Sequence, residues 1–322
     1  MKKIISAMLA LMLVLCTVNV YAEKSGNSSE NTKSTENTVK LETDAKSCIL
    51  IEASTGRVLY EDNPDERLPI ASVTKVMTML LIMEQIEAGN LNFDTMIPVS
   101  ENAMSYGGST MFLEAGEQLS VNDMLKGIAV ASANDGCVAM AEYIGGSVES
   151  FVDMMNAKAK ELNMKDTNFV NTNGLPVDNH YTSAHDIAIM SRELLKHDVI
   201  SKYLTTWMDQ VVVGKKQITV GLANTNKLIK HYQGATGVKT GFTQQAKYCL
   251  SASAKRGDTH LVAVTLGAET SPERFKDATS LLNFGFANYE SVKLCSKNDN
   301  IATLTLDKAD EQKINLVAKE VL

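Results

Sequence analysis

The sequence has little of what several large function classes require. Its 322 residues include five cysteines and five histidines, and neither type recurs at the paired spacing of a zinc site. No strongly basic block offsets the net charge of −7, which argues against a nucleic acid or an anionic membrane surface as partner. We therefore expect no metal, no cofactor and no nucleic-acid partner.

Long apolar runs are also scarce, and the most conspicuous one opens the chain. Residues 1–22 combine a basic start, an apolar stretch and a small-residue end at Ala22, as an export signal does. The stretch is short for a spanning helix, although an uncleaved anchor stays open. Cys16 follows Leu15, which disfavours lipid attachment. Cleavage would remove two lysines and take the net charge from −7 to −9.

The other cysteines lie far apart in the sequence, and two of them fall in apolar, strand-like runs. Export would permit disulfides. The wide spacing nevertheless favours buried free thiols. The four cysteines are Cys48, Cys137, Cys249 and Cys295.

Polarity and periodicity divide the rest of the chain. Residues 23–44 are polar and predict a flexible spacer. A hairpin at 48–60 precedes an apolar helix at 73–86 and a helical middle, and five strand-like runs after residue 210 lead to a last helix at 273–289. This order predicts an α/β (α+β) fold, an antiparallel sheet flanked by helices with an inserted all-helical subdomain. Residues 288–322 alternate like strands and predict a short β-rich end.

The start of the apolar helix raises the first chemical question. In "PIASVTKVMT", residues 69–78, Ser72 and Lys75 lie three apart and so share one side of a helical turn. The simple interpretation is a helix N-cap and a solvated lysine. A cation in the first turn opposes the helix dipole, however, and the free N–H groups of a helix start can stabilise an oxyanion.

Two later motifs favour the chemical interpretation. "ASANDG" places Ser132 and Asn134 in a predicted interhelical loop, and "GVKTGFT" places Lys239, Thr240 and Gly241 on a predicted strand. Ser-x-x-Lys, a variant of Ser-Asp-Asn, and Lys-Thr-Gly therefore follow one another in the order of the penicillin-binding signature. With "STGRVLYEDNPDERLPIASVTKVMT", "NTNGLPVDNHYTSAHDIA" and "LLNFGF", residues 45–287 resemble a low-molecular-mass penicillin-binding protein of the D-alanyl-D-alanine carboxypeptidase family.

The resemblance implies a β-lactamase/transpeptidase-like fold and a serine peptidase of peptidoglycan, without a cofactor. Ser72 would attack the penultimate D-alanine, Lys75 would take its proton, and Ser132, polarised by Lys239, would relay a proton to the leaving amine. Asn134 would bind the substrate amide or hold Lys75. The implied catalytic residues are Ser72, Lys75, Ser132, Asn134 and Lys239, and the implied substrate-binding residues are Thr240, Gly241, Phe242 and Arg274.

The substrate-binding roles differ in kind. The N–H groups of Ser72 and Phe242 would form the oxyanion hole, and the Lys239 strand would pair with the extended peptide. Thr240 and Arg274 are candidates for the terminal carboxylate. Arg274 is placed only by its spacing to "LLNFGF", and a surface arginine remains the alternative.

Three competing functions stay open. A class A-like β-lactamase would need Glu-x-x-Leu-Asn, which is absent between Ser132 and Lys239, so we expect a stable penicilloyl adduct. A DD-endopeptidase and a non-catalytic peptidoglycan-binding protein also fit. The expected partners are a stem pentapeptide ending in D-Ala-D-Ala and β-lactam inhibitors, at the cell wall or the outer face of the cytoplasmic membrane. Residues 288–322 show no basic amphipathic tail, so membrane contact would come from an uncleaved signal or a missing anchor.

Overall fold

The structure is a computed structural model that describes residues 41–305 and 313–319. The predicted signal peptide at 1–22 and most of the predicted spacer at 23–44 lie outside the described residues. Within the described ranges, no helix is both long enough and apolar enough to cross a membrane.

Strands make up four sheets in the described part of the chain. In chain order they are β1 (Ser47–Glu52), β2 (Val58–Asp62), β3 (Met96–Pro98), β4 (Gln118–Ser120), β5 (Met208–Val213), β6 (Ile218–Ala223), β7 (Ala235–Thr243), β8 (Lys247–Arg256), β9 (Thr259–Ala268), β10 (Asn300–Thr305) and β11 (Lys313–Val317).

The largest sheet has the order β2-β1-β9-β8-β7, with every pair antiparallel. Successive side chains of a strand point to opposite faces. In β9, Val262 and Val264 accordingly join one apolar core, whereas Leu261 and Ala263 join the other. Both faces are covered, which explains the nearly continuous apolar sequence of this strand. β7 lies at the edge of the sheet.

Most of the helices lie in the long connection between β2 and β7, and the central helix of this connection, Lys75–Glu87, packs on one face of the sheet, whereas Leu228 near its end joins the core on the other face. In chain order the helices are α1 (Lys75–Glu87), α2 (Glu101–Ser105), α3 (Val121–Lys126), α4 (Asn134–Gly145), α5 (Val148–Glu161), α6 (Ala184–Leu194), α7 (Ile200–Leu204) and α8 (Leu228–His231), and α9 (Ser271–Asn288) follows β9. The inserted helices and the antiparallel sheet match the predicted architecture.

α1 is buried along its first nine residues, from Lys75 to Met83. A helix that is apolar all round can lie only inside a domain, so α1 forms the centre of the core. α9 covers the opposite face of the sheet through Ala278, Leu281 and Leu282. Its N-cap, Thr270, forms a capping box with Glu273.

Several local predictions need correction. The runs around 208–213 and 218–223 do not join the main sheet but pair with each other as β5 and β6. The predicted helix after Ser120 is α-helical only to Lys126, and a π-helical turn follows at Gly127–Ala131. Asn134 does not lie in a loop, because it is the first residue of α4.

The predictions of buried free cysteines and of strands near the chain end are confirmed in part. Cys48, Cys137 and Cys249 are buried free thiols, as predicted, whereas Cys295 is free but only half-buried. The strand prediction for the last segment is confirmed for β10 and β11, which pair antiparallel.

Candidate active site

Ser72 lies in a 3-10 turn, Ala71–Thr74, that leads directly into α1. It is not an N-cap, because its side chain caps no backbone N–H of that turn or of α1. Its Oγ instead forms a hydrogen bond of 2.9 Å with Nζ of Lys75. The spacing of three residues therefore brings the hydroxyl and the amine into direct contact.

Lys75 is completely buried although it carries an amine. Burial lowers the pKa of Lys75 from 10.5 to about 8, because the charged form loses its hydration. The amine also donates to the carbonyl oxygen of Asn173 over 2.7 Å. A lysine with this pKa is neutral in roughly one molecule in ten at pH 7, and that fraction can accept a proton.

Ser132 of the Ser-Ala-Asn motif and Lys239 of the Lys-Thr-Gly motif are both buried. Ser132 has a left-handed backbone, with φ of 64°, and its Oγ lacks a hydrogen-bond partner among the described residues. Nζ of Lys239 donates to the carbonyl of Thr240 over 3.2 Å. Burial, and secondly the charge of Lys75, lower the pKa of Lys239 well below its ordinary value. The predicted contact between Ser132 and Lys239 is not present in this structure.

Asn134 is held by a neighbouring segment rather than by Lys75. Its Nδ2 donates to the carbonyl of Gly107 over 2.7 Å, and its backbone N–H donates to Ser109. The next residue, Asp135, accepts from the backbone N–H groups of Met111 and Leu113. The 107–113 segment and the start of α4 thus form one hydrogen-bonded unit.

The strand β7 carries Thr240, Gly241 and Phe242 along the free edge of the main sheet. Gly241 packs against the turn that carries Ser72: a Cβ there would lie 2.5 Å from the carbonyl oxygen of Ile70 and 3.2 Å from the nitrogen of Ser72. A side chain would not fit, so glycine is what lets β7 approach Ser72. Thr240 Oγ1 is hydrogen-bonded to Thr225 Oγ1 at 2.6 Å.

Phe242 is 45% exposed, and its ring lies 4.3 Å from that of Tyr248, centroid to centroid. Its side chain points away from the core, which leaves its backbone as the part that can serve a site at the strand edge.

Arg274 lies behind β7 and is buried, so the surface-arginine alternative is wrong. Its guanidinium donates to the carbonyl of Gly241 over 2.9 Å and to that of Cys249 over 3.3 Å. Burial lowers the pKa of Arg274 to about 10, which still leaves it charged at neutral pH. With two buried lysines nearby in the site, this cation favours an anionic ligand.

Two positions that contact the Ser72–Lys75 region were missed from the sequence. Asn173 accepts from Nζ of Lys75 through its backbone carbonyl, which gives no residue-type signal. Gly174 has φ of 86°, and a Cβ there would lie 1.8 Å from the carbonyl oxygen of Ala71, so only glycine fits. The Asn-Gly pair in "NTNGLP" is the signal that could have marked this close approach. In residues 41–305 and 313–319, no group of three His, Cys, Asp or Glu side chains could hold a metal ion.

Comparisons with known proteins agree with one another. A family model described as D-alanyl-D-alanine carboxypeptidase matches residues 31–270. The chain is 46% identical over 321 residues to D-alanyl-D-alanine carboxypeptidase DacF of Bacillus subtilis strain 168, covering 99% of this chain and 80% of that one. It is 35% identical over 284 residues to D-alanyl-D-alanine carboxypeptidase DacC of Escherichia coli K12, covering 86% and 70%.

A solved structure gives the same result for the fold. Penicillin binding protein 5 from Haemophilus influenzae superposes with a TM-score of 0.78 at 31% identity, covering 88% of this chain and 82% of that one. The fold is therefore the β-lactamase/transpeptidase-like fold of low-molecular-mass penicillin-binding proteins, as the sequence predicted.

Proposed function

The chain belongs to the D-alanyl-D-alanine carboxypeptidase family, whose members react through a serine acyl-enzyme, and we propose that Ser72 is the serine that is acylated. The family acts on the D-Ala-D-Ala ends of peptidoglycan and binds penicillin-like β-lactams. The observation that supports Ser72 best is its contact with a buried amine: Nζ of Lys75 lies 2.9 Å from Oγ.

In the first step, neutral Lys75 takes the Ser72 proton while Oγ attacks the carbonyl carbon of the penultimate D-alanine. The carbonyl oxygen becomes an oxyanion that the N–H groups of Ser72 and Phe242 stabilise. Asn173 supports this step because its carbonyl, 2.7 Å from Nζ, occupies one N–H of the amine and leaves the lone pair for the serine. The side chain of Lys75 is thereby fixed at two points.

In the second step, the tetrahedral intermediate collapses and the bond to the terminal D-alanine breaks. The leaving nitrogen needs a proton, which passes from Lys75 through the hydroxyl of Ser132. The Oγ of Ser132 is buried and has no partner among the described residues, so it is available for this relay. Lys239 polarises it once substrate orders the site, and water then hydrolyses the acyl-enzyme.

Substrate binding follows from the sheet edge and the charges. The extended peptide pairs with β7 at Lys239–Gly241, as an added strand. Its terminal carboxylate is bound by Thr240, whose hydroxyl Thr225 positions at 2.6 Å. Arg274 contributes its positive charge from behind the strand, since its Nη1 donates to the carbonyl of Gly241. Asn134 uses its remaining Oδ1 for the substrate amide.

Release of D-alanine tests the assignment. Purified wild type is expected to release the terminal D-alanine from a stem pentapeptide, and penicillin is expected to block that release. Ser72→Ala is expected to lose activity by several orders of magnitude while its melting temperature stays close to that of wild type. Unchanged release by the substituted protein would contradict the mechanism.

The β-lactamase alternative differs in the lifetime of the penicilloyl adduct. We propose a long-lived adduct, because the Glu-x-x-Leu-Asn pattern for deacylation is absent between Ser132 and Lys239. Intact-mass spectrometry after a pulse of penicillin measures this lifetime. Rapid turnover without an adduct would favour the β-lactamase, and crosslink cleavage without D-alanine release would favour the endopeptidase.

We also propose that the protein is exported, on the basis of its N-terminal sequence. Cleavage after Ala22 would leave a mature form that starts at Glu23 and acts at the cell wall. N-terminal sequencing of protein from the producing cell checks this, and an intact Met1 in the cell-wall fraction would indicate an uncleaved anchor instead.

A further inference from the structure

A line of hydrogen bonds beneath the nucleophile ends on the residue that precedes it. The backbone N–H of Val170 lies 3.0 Å from Nδ1 of His180. Nε2 of His180 lies 2.8 Å from Oγ1 of Thr74, and this hydroxyl lies 2.8 Å from the carbonyl oxygen of Ala71. The proposed mechanism uses neither Thr74 nor His180.

The direction of the line follows from the donors. A backbone N–H can only donate, so Nδ1 of His180 accepts and the ring carries its proton on Nε2. That N–H donates to Thr74, which leaves the threonine hydroxyl to donate to Ala71. Burial supports the neutral ring, since it lowers the pKa of His180 to about 4. Both side chains are buried, His180 with 7% exposure and Thr74 with none.

The carbonyl at the end of the line belongs to the same peptide group as the N–H of Ser72. In a trans peptide the C=O and the N–H point in opposite directions and tilt together. Gly174 lies against the carbonyl side of this peptide group, since a Cβ on Gly174 would be 1.8 Å from the oxygen of Ala71. Gly241 lies on the nitrogen side, since a Cβ on Gly241 would be 3.2 Å from the nitrogen of Ser72. A contact that fixes the orientation of the Ala71 carbonyl therefore also fixes the orientation of the Ser72 N–H on the side of β7.

The backbone at this point needs outside support. Ala71 has a backbone φ of 49°, in the left-handed region that residues other than glycine rarely adopt. A hydroxyl that donates to the Ala71 carbonyl holds this conformation. It also polarises the peptide group, which makes its N–H a better donor.

We propose that Thr74 and His180 are positioning residues that fix the Ala71–Ser72 peptide group and so aim the Ser72 N–H at the developing oxyanion. This inference rests on the proposed function, in which that N–H is one of the two oxyanion donors. Neither residue touches the substrate.

The chain contains a matched control one helical turn later. Thr78 is completely buried in α1, and its Oγ1 donates to the carbonyl of Thr172 over 2.6 Å. Thr74, at the end of the 3-10 turn, and Thr78, in α1, therefore both bond to the 170–182 segment, but only Thr74 touches the peptide group before Ser72. A purely structural role predicts the same consequences for both.

The test compares Thr74→Val, Thr74→Ser and Thr78→Val by the acylation rate constant with penicillin, measured separately from the affinity of the noncovalent complex. Removing an oxyanion donor costs about 100- to 1,000-fold, and here the donor is kept but misaligned. We expect Thr74→Val to acylate about 10- to 100-fold more slowly with nearly unchanged affinity. Thr74→Ser is expected to stay within about 3-fold of wild type, because it keeps the hydroxyl that orients the donor.

Thr78→Val is expected to lose melting temperature as Thr74→Val does, yet to acylate at the wild-type rate. If Thr74→Val does not fold, His180→Gln, which keeps an N–H near the place of Nε2, is compared with His180→Phe, which keeps only the ring shape. His180→Phe is expected to be the slower of the two, and equal acylation rates would overturn the inference. Where Thr74→Val does fold, adding His180→Phe to it is expected to slow acylation no further, because the two residues act in series.

The inference is overturned if folded Thr74→Val acylates at the wild-type rate, or if Thr78→Val slows acylation as much. Failure of the proposed function looks different: wild type itself would then form no adduct on Ser72, so wild type and Ser72→Ala are run in parallel.

Discussion

The packing of Gly241 against the turn that carries Ser72 gives the sharpest quantitative prediction. In Gly241→Ala, the new Cβ would lie 2.5 Å from the carbonyl oxygen of Ile70 and 3.2 Å from the nitrogen of Ser72. An ordinary carbon–oxygen contact needs about 3.2 Å, so β7 and the turn must separate by roughly 0.7 Å. The proposed oxyanion donors, the N–H groups of Phe242 on the strand and Ser72 on the turn, then move apart.

A misplacement of about 1 Å can cost about 100-fold in rate, so we expect Gly241→Ala to be acylated roughly 30- to 100-fold more slowly. This corresponds to about 2 to 3 kcal/mol of transition-state stabilisation. Overpacking costs about 1 to 3 kcal/mol of folding free energy, so the protein is expected to stay folded. Stopped-flow acylation by a labelled penicillin measures the rate, and urea unfolding measures the stability.

Gly221→Ala is the matched control, because Gly221 also lies in a strand and nothing stands within 4 Å of its Cβ position. We expect it to be acylated at the wild-type rate. If Gly241→Ala reacted as fast as Gly221→Ala, the claim that β7 and the turn together form the oxyanion hole would be refuted.

Three further predictions concern buried groups. The pKa of Lys75 is 10.5 when the side chain is free and about 8 when it is buried. Between these pH values the unfolded chain binds more protons than the folded protein, so the free energy of unfolding rises with pH. Relative to Lys75→Met, wild type should gain up to about 3 kcal/mol between pH 7 and 10.5 in thermal unfolding, and a difference independent of pH would contradict this. Among the cysteines that the structure describes, iodoacetamide should label Cys295 in folded protein, whereas Cys137, whose pKa burial raises to about 12, should react only after unfolding, as peptide mapping would show. Asp135→Asn should lose about 1 to 3 kcal/mol in urea unfolding, because Oδ2 of Asp135 accepts from Met111 and Leu113 while Oδ1 accepts from Gly136, and an amide replaces one of these oxygens by an NH2 group that cannot accept. Wild-type stability of the variant would contradict this prediction.

The sequence was most informative where a residue type is itself the signal. Ser72, Lys75 and the Lys239–Gly241 strand were located correctly on their elements, since a hydroxyl, an amine and a glycine each have a chemical or steric reason to stand there. Asn173 could not be found, because it contributes a backbone carbonyl that any residue carries. The pairing of β5 with β6 was missed for a related reason: alternation predicts a strand but not its partner.

Burial was the other property that the sequence left open. Arg274 could be placed by spacing, but whether its charge lay at the surface or behind β7 depends on how α9 crosses the sheet. The same holds for the pKa of Lys75, which depends on how completely the core surrounds one amine. These are tertiary effects, and local patterns do not determine them.

The most direct test of the account is the position of the acyl group after reaction with penicillin. Trypsin cleaves after Arg67 and Lys75, so Ser72 falls in the peptide of residues 68–75, "LPIASVTK", which contains a single serine. Mass spectrometry should find one penicilloyl group per chain, on Ser72 in this peptide, and none in Ser72→Ala. An adduct on the peptide that carries Ser132, or a labelled Ser72→Ala protein, would contradict the assignment of Ser72 as nucleophile.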